Sequence, residues 1–338
     1  MPQETGTIFR REWRSNMRQL TPGKMRGLER CTTAGGALCV LALDHRNNLR
    51  KSLAPSDPGS IGYREMVDFK LEVVAALAPQ ASAVLLDPEV GAAQGIASGA
   101  LPAVTGLLVA VDATGYSGEK YSRQSSLLEG WSVAKAKRMG ADAVKLLVYY
   151  HPDTGPAGKI EDLVRRTAAE CATQDILFVV EPLSYSPDPD RSRLASDRKS
   201  DVVIRTAERL TMEGVDILKA EFPLDPVEVP DEEAWFETCR ELSSASPVPW
   251  VLLSAGVSFE TYLRQVAVAC AAGASGIAAG RAVWAESASL QGTERTAFIQ
   301  GTASHRMRRL TSLCDALARP VRELLAPVEP EEGWYLDY

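Results

Sequence analysis

Eight short apolar runs alternate with helical patterns along this chain, and this alternation restricts the possible folds more than any other feature. Each run is almost continuously apolar, as a parallel strand covered on both faces requires. The runs are ALCVLALDH (37–45), ASAVLLDPE (81–89), GLLVAVD (106–112), AVKLLVYY (143–150), LFVVEPL (177–183), ILKAEFPL (217–224), WVLLSAG (250–256) and GIAAGRAV (276–283).

The segments between these runs have the apolar spacing of amphipathic helices. KIEDLVRRTAAECATQ (159–174) and SFETYLRQVAVACAAGA (258–274) place apolar residues three and four positions apart. Eight strand–helix repeats favour an α/β fold of the (β/α)₈ TIM-barrel type over an open doubly wound sheet. We predict an N-terminal extension over residues 1–35, a barrel catalytic domain over 36–290, and a C-terminal helix and tail over 291–338 that belong to the same domain.

Composition excludes several classes of partner. A net charge of -7 argues against nucleic acid or an acidic membrane surface, because both need a broad basic face. The six cysteines include no C-x-x-C pair, so neither a zinc knuckle nor a disulfide framework is indicated. The sequence also lacks an apolar signal region, an 18-residue apolar run and the usual nucleotide-binding glycine motifs. We therefore expect a cytoplasmic protein that binds neither membranes nor nucleic acid.

Polar residues interrupt the apolar runs close to their C-terminal ends, where the active sites of (β/α)₈ barrels lie. In strand order, they are Asp44, His45 and Arg46; Asp87 and Glu89; Lys145; Glu181; Lys219 and Glu221; and Ser254, Gly256, Gly280 and Arg281. Each is a candidate site residue.

Lys145, Glu181 and Lys219 lie on three successive predicted strands, and a lysine is costly to bury without a partner. A lysine that shares a dry pocket with a second cation has a lowered pKa and becomes nucleophilic at neutral pH. Lys219 would then form a Schiff base with a ketone, Glu181 would move protons, and Lys145 would keep Lys219 neutral or hold a substrate oxygen. The alternative is structural: the lysines reach the rim or pair with Glu181 and Glu221.

The remaining candidates also have structural alternatives. Asp44 and Asp87 are at the positions of residues that cap βα turns. Ser254, Gly256, Gly280 and Arg281 follow the last two strands, where loop amides commonly bind phosphate in this architecture. Turn chemistry together with a surface charge is the alternative for these four.

Several strand-end motifs occur together in the order known from one enzyme family. They are ALDHRNNL (42–49), LLDPE followed by Gly91, GADAVKLLVYY (140–150), DILKAEFP (216–223), LSAGVS (253–258) and GRAVWA (280–285). From about residue 35 to about residue 290 the chain resembles class I tagatose-1,6-bisphosphate aldolase. The related sulfofructose-phosphate aldolases share much of this pattern.

The resemblance implies a Schiff-base aldolase on a barrel, with Lys219 as the imine lysine, Glu181 as the acid/base and Lys145 as the second lysine. It implies substrate contacts from Asp44, Arg46, Asp87, Ser254, Gly256, Gly280 and Arg281, with Arg46 binding a charged group at the far end of a small phosphorylated sugar. No metal or cofactor is implied, and a homo-oligomer is expected. The family motif D-Q-R-G reads Asp44, His45, Arg46 and Asn47 in this chain.

Three other functions are alternatives to this one. A sulfofructose-phosphate aldolase would release dihydroxyacetone phosphate and sulfolactaldehyde by the same chemistry. A metal-dependent aldolase would need a cluster of ligands, and the sequence has only His45, His151 and His305. A non-catalytic barrel would bind a sugar phosphate without turning it over.

Overall fold

A computed structural model describes residues 17–191, 193–336 and 338, and in these residues eight parallel strands close into a barrel. The strands are β1 (Leu38–Ala42), β2 (Ala83–Leu86), β3 (Gly106–Ala110), β4 (Ala143–Tyr149), β5 (Leu177–Leu183), β6 (Ile217–Ala220), β7 (Trp250–Leu253) and β8 (Gly276–Ala279). They follow one another in chain order around the barrel, and β8 pairs with β1 to close it. The predicted (β/α)₈ fold is confirmed, and each strand lies within its predicted run.

Helices surround the barrel and extend the chain at both ends. They are α1 (Pro22–Cys31), α2 (Asn47–Leu53), α3 (Tyr63–Leu77), α4 (Ala92–Ser98), α5 (Val133–Met139), α6 (Ala157–Thr173), α7 (Ser196–Leu210), α8 (Glu232–Ala245), α9 (Phe259–Ala271), α10 (Arg281–Trp284), α11 (Gly292–Phe298) and α12 (Ser304–Leu317). A π-helical turn, Ile299–Ala303, joins α11 to α12. Within the described ranges, none of the helices combines the length and apolar character needed to cross a lipid bilayer.

The N-terminal end of the barrel is closed by apolar packing. Leu28 of α1 belongs to the same buried cluster as the inward-facing residues Leu38, Leu108 and Leu177 of the barrel. Gly27 allows this close approach, because a Cβ there would lie 2.8 Å from the backbone oxygen of Asp142. A short parallel pair of strands, Arg18–Leu20 with Leu325–Pro327, packs beside α1. The open end is therefore the C-terminal one.

The strand alternation that builds this apolar layer also builds a polar layer above it. Inward-facing Val179 and Ile217 belong to the apolar cluster, and two residues further along each strand are Glu181 and Lys219. Because side chains two residues apart point to the same face of a strand, these charged groups also face the barrel interior. The same rule brings Lys145, two residues after Ala143, to the interior.

Candidate active site

Lys145, Glu181 and Lys219 meet at the C-terminal end of the barrel, on the neighbouring strands β4, β5 and β6. The Nζ atom of Lys219 lies 2.6 Å from Oε1 of Glu181, and that of Lys145 lies 3.2 Å from Oε2. One carboxylate thus contacts two amines through different oxygens. Glu181 is placed to exchange a proton with Lys219 while Lys145 holds its other oxygen.

Lys145 is fully buried below the cavity floor and compensated by three carboxylates. Its Nζ atom lies 2.6 Å from Asp44 Oδ2 and 2.9 Å from Asp112 Oδ1, in addition to Glu181. Burial lowers the pKa of Lys145, but Asp112, Asp44 and Glu181 outweigh it and raise the pKa well above its ordinary value. Lys145 is therefore a fixed ammonium ion.

Lys219 differs from Lys145 in its access to solvent. Its side chain is 6% exposed and lines the open cavity, and it also borders a small apolar space formed by inward-facing residues below it, among them Leu85 and Val179. A largely desolvated amine with one carboxylate partner and a path to the cavity has the surroundings that a nucleophilic lysine requires.

Asp44 and His45 continue the site at the end of β1. Burial raises the pKa of Asp44, but Lys145, Lys219 and His45 lower it by more than burial raises it. The net pKa is below its ordinary value, so the carboxyl stays ionised. Burial lowers the pKa of His45 to about 3; Asp44 opposes this shift and Arg281, Lys219 and Lys70 support it. His45 is thus neutral at physiological pH, and its ring packs edge-on against Trp284 with centroids 5.2 Å apart.

Asp112 is a site residue that the sequence analysis missed. Besides Lys145, its carboxylate accepts a hydrogen bond of 2.9 Å from the backbone N–H of Leu147. Its other oxygen lies 3.0 Å from Nη2 of Arg46. The sequence contains a pattern that could have identified Asp112. It ends the third apolar run and lies an even number of residues after inward-facing Leu108.

Arg46 lines the cavity, but carboxylates already engage its guanidinium. Nη2 donates to the side chain and the backbone oxygen of Asp112, at 3.0 and 2.8 Å, and Nη1 donates to Glu89 at 2.9 Å. Asp112 thus links Arg46 to the buried Lys145.

Asp87 requires a correction, because its side chain does not line the cavity. The carboxylate is completely buried, contacts the equally buried Lys70 of α3, and accepts backbone hydrogen bonds from Glu89 at 3.0 Å and Val90 at 2.8 Å. The strand ends at Leu86 and the chain turns directly afterwards, over residues 88–91, which breaks the alternation that points Leu85 inward. The predicted substrate contact is wrong, and the capping alternative describes its geometry.

The loops after β7 and β8 bring Ser254, Gly280 and Arg281 to the cavity. The backbone N–H of Gly280 donates to Ser254 Oγ at 3.2 Å. Gly256 is exposed beside Arg281: its φ is +77°, and a Cβ there would lie 3.1 Å from Arg281 Cζ. Its lack of a side chain makes room for the arginine, and its contact with substrate stays a prediction.

The cavity above these groups has a volume of about 550 Å³. Its far wall comes from the β3–α5 loop and β4, with Tyr116, Arg123 and Tyr149. The histidines lie apart from one another: His45 packs on Trp284, His151 lies near Tyr185, and His305 is on α12 beside Arg308. The described residues contain no cluster of three potential metal ligands among His, Cys, Asp and Glu.

Similar proteins are known by both sequence and structure. A model of the DeoC/LacD family of aldolases matches residues 38–286. The tagatose 1,6-diphosphate aldolase of Listeria monocytogenes serotype 4a is 33% identical over 306 residues, which cover 82% of this chain and 86% of that protein. Tagatose 1,6-diphosphate aldolase 2 of Streptococcus mutans is 32% identical over 288 residues, covering 79% and 86%.

Solved structures share the fold at lower identity. An archaeal fructose 1,6-bisphosphate aldolase aligns with a TM-score of 0.59 at 22% identity, covering 87% of this chain and 99% of that one. The fructose-bisphosphate aldolase of Plasmodium falciparum aligns with a TM-score of 0.63 at 14% identity, covering 90% and 99%.

The family model covers the barrel from its first strand to its last, and the named relatives match most of both chains. The chain therefore belongs to the DeoC/LacD aldolase family and is a carbon–carbon lyase, a class I aldolase.

Proposed function

We propose that this aldolase cleaves tagatose 1,6-bisphosphate or a related ketohexose bisphosphate to dihydroxyacetone phosphate and an aldehyde such as glyceraldehyde 3-phosphate. The observation that carries the proposal is the Lys219–Glu181–Lys145 arrangement, in which one carboxylate touches a cavity-facing amine and a buried ammonium. The curated relatives, named as tagatose 1,6-diphosphate aldolases, support the choice of sugar.

In the first step Lys219 gives its proton to Glu181, whose Oε1 lies 2.6 Å from Nζ, and the neutral amine attacks the C2 carbonyl carbon. The carbonyl oxygen takes a proton from Glu181 and becomes the hydroxyl of a carbinolamine. Loss of water then leaves a protonated imine. Lys145, whose Nζ lies 3.2 Å from Glu181 Oε2, would hold the carboxylate in position for these transfers.

The imine is the electron sink for bond cleavage. Glu181 removes the C4 hydroxyl proton, the C3–C4 bond breaks, and its electrons move into the imine to form an enamine while the aldehyde leaves. A proton returns to C3, and water hydrolyses the imine to release dihydroxyacetone phosphate and free Lys219. Asp44 would hold Lys145 and a substrate hydroxyl in place, because its carboxylate pairs with Lys145 and also lines the cavity.

The phosphate of the dihydroxyacetone half would bind at the loops after β7 and β8. Ser254, Gly280 and Arg281 line the cavity there, and no carboxylate of the described residues lies within ion-pair distance of the Arg281 guanidinium. A charge-assisted contact of this kind acts in the ground state and the transition state alike. Arg281→Ala should therefore mainly raise KM for phosphorylated ketoses.

Reductive trapping tests the mechanism. Incubation with dihydroxyacetone phosphate and sodium borohydride should inactivate the protein and add mass to the peptide that contains DILKAEFPLD. Lys219→Arg should take up no label, because a guanidinium stays protonated and forms no imine. Label on Lys145 would reverse the roles of the two lysines. Turnover without label on either lysine would contradict the Schiff base.

Product assays with several ketose bisphosphates and with sulfofructose phosphate identify the substrate. Sulfolactaldehyde as the preferred product would favour the sulfofructose-phosphate alternative, and binding without turnover would favour a non-catalytic barrel. A cytoplasmic location and a homo-oligomeric state stay predictions.

A further inference from the structure

Arg123 differs from Arg46 and Arg281, which also line the cavity, in the groups that contact its guanidinium. Its guanidinium carbon lies 4.6 Å from the ring centre of Tyr116, 5.2 Å from that of Tyr149 and 5.1 Å from that of Tyr185. These rings fix the cation by cation–π contact. Its Nε donates to the backbone oxygen of Lys120 at 2.8 Å, and within the described ranges no carboxylate forms an ion pair with it.

The loop that carries Arg123 is fastened over the end of β4. Ser122–Gln124 pairs with Ser117–Glu119 in a small hairpin, and Ser125 Oγ accepts a hydrogen bond of 2.9 Å from the backbone N–H of Tyr149. The rings of Tyr116 and Tyr149 also meet edge to face, with centroids 5.0 Å apart. Arg123 is therefore placed by the barrel and not by a free loop.

Arg123 and Arg281 lie on opposite sides of the cavity mouth. Arg281 follows β8 and Arg123 stands over β4, and four of the eight steps around the barrel separate these strands. Lys219 on β6 lies midway between them on one side. A ligand that holds one anion at Arg281 and a carbonyl at Lys219 would extend toward Arg123.

Arg46, the arginine expected from the sequence to meet the far end of the substrate, is less suited to that contact. Three of its five N–H groups already donate to Asp112 and Glu89, and those carboxylates neutralise its charge. Arg123 keeps both its charge and its Nη groups for a ligand, because its hydrogen bond within the described residues comes from Nε and no described carboxylate pairs with it.

We infer that Arg123 is the residue that selects a second tetrahedral oxyanion, phosphate or sulfonate, on the aldehyde half of the substrate. This inference rests on the proposed aldolase function for its orientation: the C1 phosphate lies at Arg281, and the group on C6 reaches the tyrosine-bound arginine. The tyrosines hold the guanidinium in place before binding, so little side-chain entropy is lost when the anion arrives.

Binding of uncleavable ligands tests the inference without turnover. Titration calorimetry would compare a hexitol 1,6-bisphosphate, a hexitol 1-phosphate and a 6-sulfo-6-deoxyhexitol 1-phosphate. The wild-type protein should bind at least one of the two ligands that carry an anionic group at each end about 10- to 100-fold more tightly than the monophosphate. This is the gain in affinity that one charge-assisted contact provides. The tighter of the two identifies the second anion as phosphate or sulfonate.

Four variants locate the contact. Arg123→Met should remove the preference for the second anion and leave the affinity for the monophosphate unchanged. Arg123→Lys should keep part of the preference, since the charge remains but the planar stacking is lost. Arg281→Met should lower the affinity for all three ligands by a similar factor. Arg138→Met, which removes an exposed guanidinium from α5 outside the cavity, is the matched control and should change none of them.

Two results would overturn the inference: a wild-type protein with no preference for either two-anion ligand, or a preference that survives in Arg123→Met and disappears in Arg46→Met. Borohydride trapping with dihydroxyacetone phosphate separates this test from the proposed mechanism. Arg123→Met should trap as the wild type does, because the trapped half lacks the second anion. Absence of trapping in the wild type would reject the Schiff base while the binding ratios still report on Arg123.

Discussion

The Lys70–Asp87 pair and the Lys219–Glu181 pair are both ion pairs between a lysine and a carboxylate. The first is enclosed within the protein, whereas the second lines the cavity. Lys70 and Asp87 are both completely buried, between α3 and the loop after β2. Lys219 and Glu181 project from β6 and β5 into the barrel, where both line the cavity. Sequence alone presents all four as charged residues in apolar surroundings, so their place in the fold and not the residue type separates the two pairs.

The partners of the two carboxylates explain what each pair can do. Asp87 contacts Lys70 through one oxygen and accepts two backbone hydrogen bonds with the other, so both oxygens are already engaged within the protein. Glu181 is shared by two lysines, and the one nearer the cavity can lose its proton to it. A buried pair with fixed partners is structural, whereas a shared carboxylate at a cavity is suited to proton transfer.

The largest expected effect is loss of turnover in Lys219→Met. The change removes the proposed nucleophile, so kcat should fall by about 10⁴-fold or more, as for other enzymes without their nucleophile. The unfolding free energy should change little, because Lys145 still compensates Glu181. Steady-state kinetics and urea unfolding measure both quantities. Retention of more than about one per cent of kcat would remove Lys219 from the nucleophilic role.

Lys70→Met should show the reverse pattern. It leaves the Asp87 carboxylate buried without its cation, which costs about 3–5 kcal/mol of unfolding free energy. The folded fraction should keep kcat/KM within about threefold of the wild type, less than 1 kcal/mol of transition-state stabilisation. Urea unfolding and kinetics at a temperature where the variant is folded provide the test.

The double variant Lys70→Met with Asp87→Asn serves as its control. Removing both charges from the enclosed pair should recover most of the lost stability, because no uncompensated ion remains. If Lys70→Met were stable but inactive, the enclosed pair would belong to the active site and the distinction between the two pairs would fail.

The fold followed from the sequence because its signals are local and repeated. Each of the eight runs contains a barrel strand, and the helical pattern at 258–274 became Phe259–Ala271. Lys145, Glu181 and Lys219 share one face because strand alternation holds through all three positions. Helix bounds were less accurate: the helical pattern at 159–174 is the helix Ala157–Thr173 in the structure, which begins two residues earlier because Ala157 and Gly158 give no amphipathic signal.

Contacts between distant loops could not be predicted in the same way. Asp87 was assigned to the cavity because it follows a strand, but the strand ends one residue earlier and the chain turns outward to Lys70. Arg123 lies in a polar loop with no apolar pattern, and its importance depends on Tyr149 and Tyr185 from two later strand ends. Such groupings depend on tertiary packing.

Lys145→Met changes a lysine that is as buried as Lys70 and yet touches Glu181. We expect a folded barrel with kcat about 10²-fold lower, since Glu181 loses the ion pair that holds its carboxylate in position. Circular dichroism and steady-state kinetics measure the two effects. Lys145→Arg, which keeps the charge, is the control and should recover part of kcat. Unchanged kinetics in Lys145→Met would give Lys145 the structural role of Lys70.

The positive charges of Lys219 and Lys70 both act on His45, and replacing this histidine should have a smaller effect, on the pH dependence of stability. Burial, opposed by Asp44 and supported by Arg281, Lys219 and Lys70, lowers its pKa to about 3, against an ordinary value of 6.5. Between pH 6.5 and 3 the unfolded chain thus binds a proton that the folded chain does not, so stability falls as the pH falls through this range. His45→Gln does not titrate and should lack this loss.

The stability difference between wild type and His45→Gln should therefore shift against the wild type by about 1–2 kcal/mol from pH 7 to pH 5. The titration of Asp44 does not overlap with this pH range. Its pKa lies below the ordinary value of 3.8, so the stability that it contributes is lost only at lower pH. Urea unfolding of both proteins at half-unit pH steps measures the shift. If the unfolding free energies of the two proteins changed in parallel with pH, His45 would have an ordinary pKa, and Lys219 and Lys70 would not lower it.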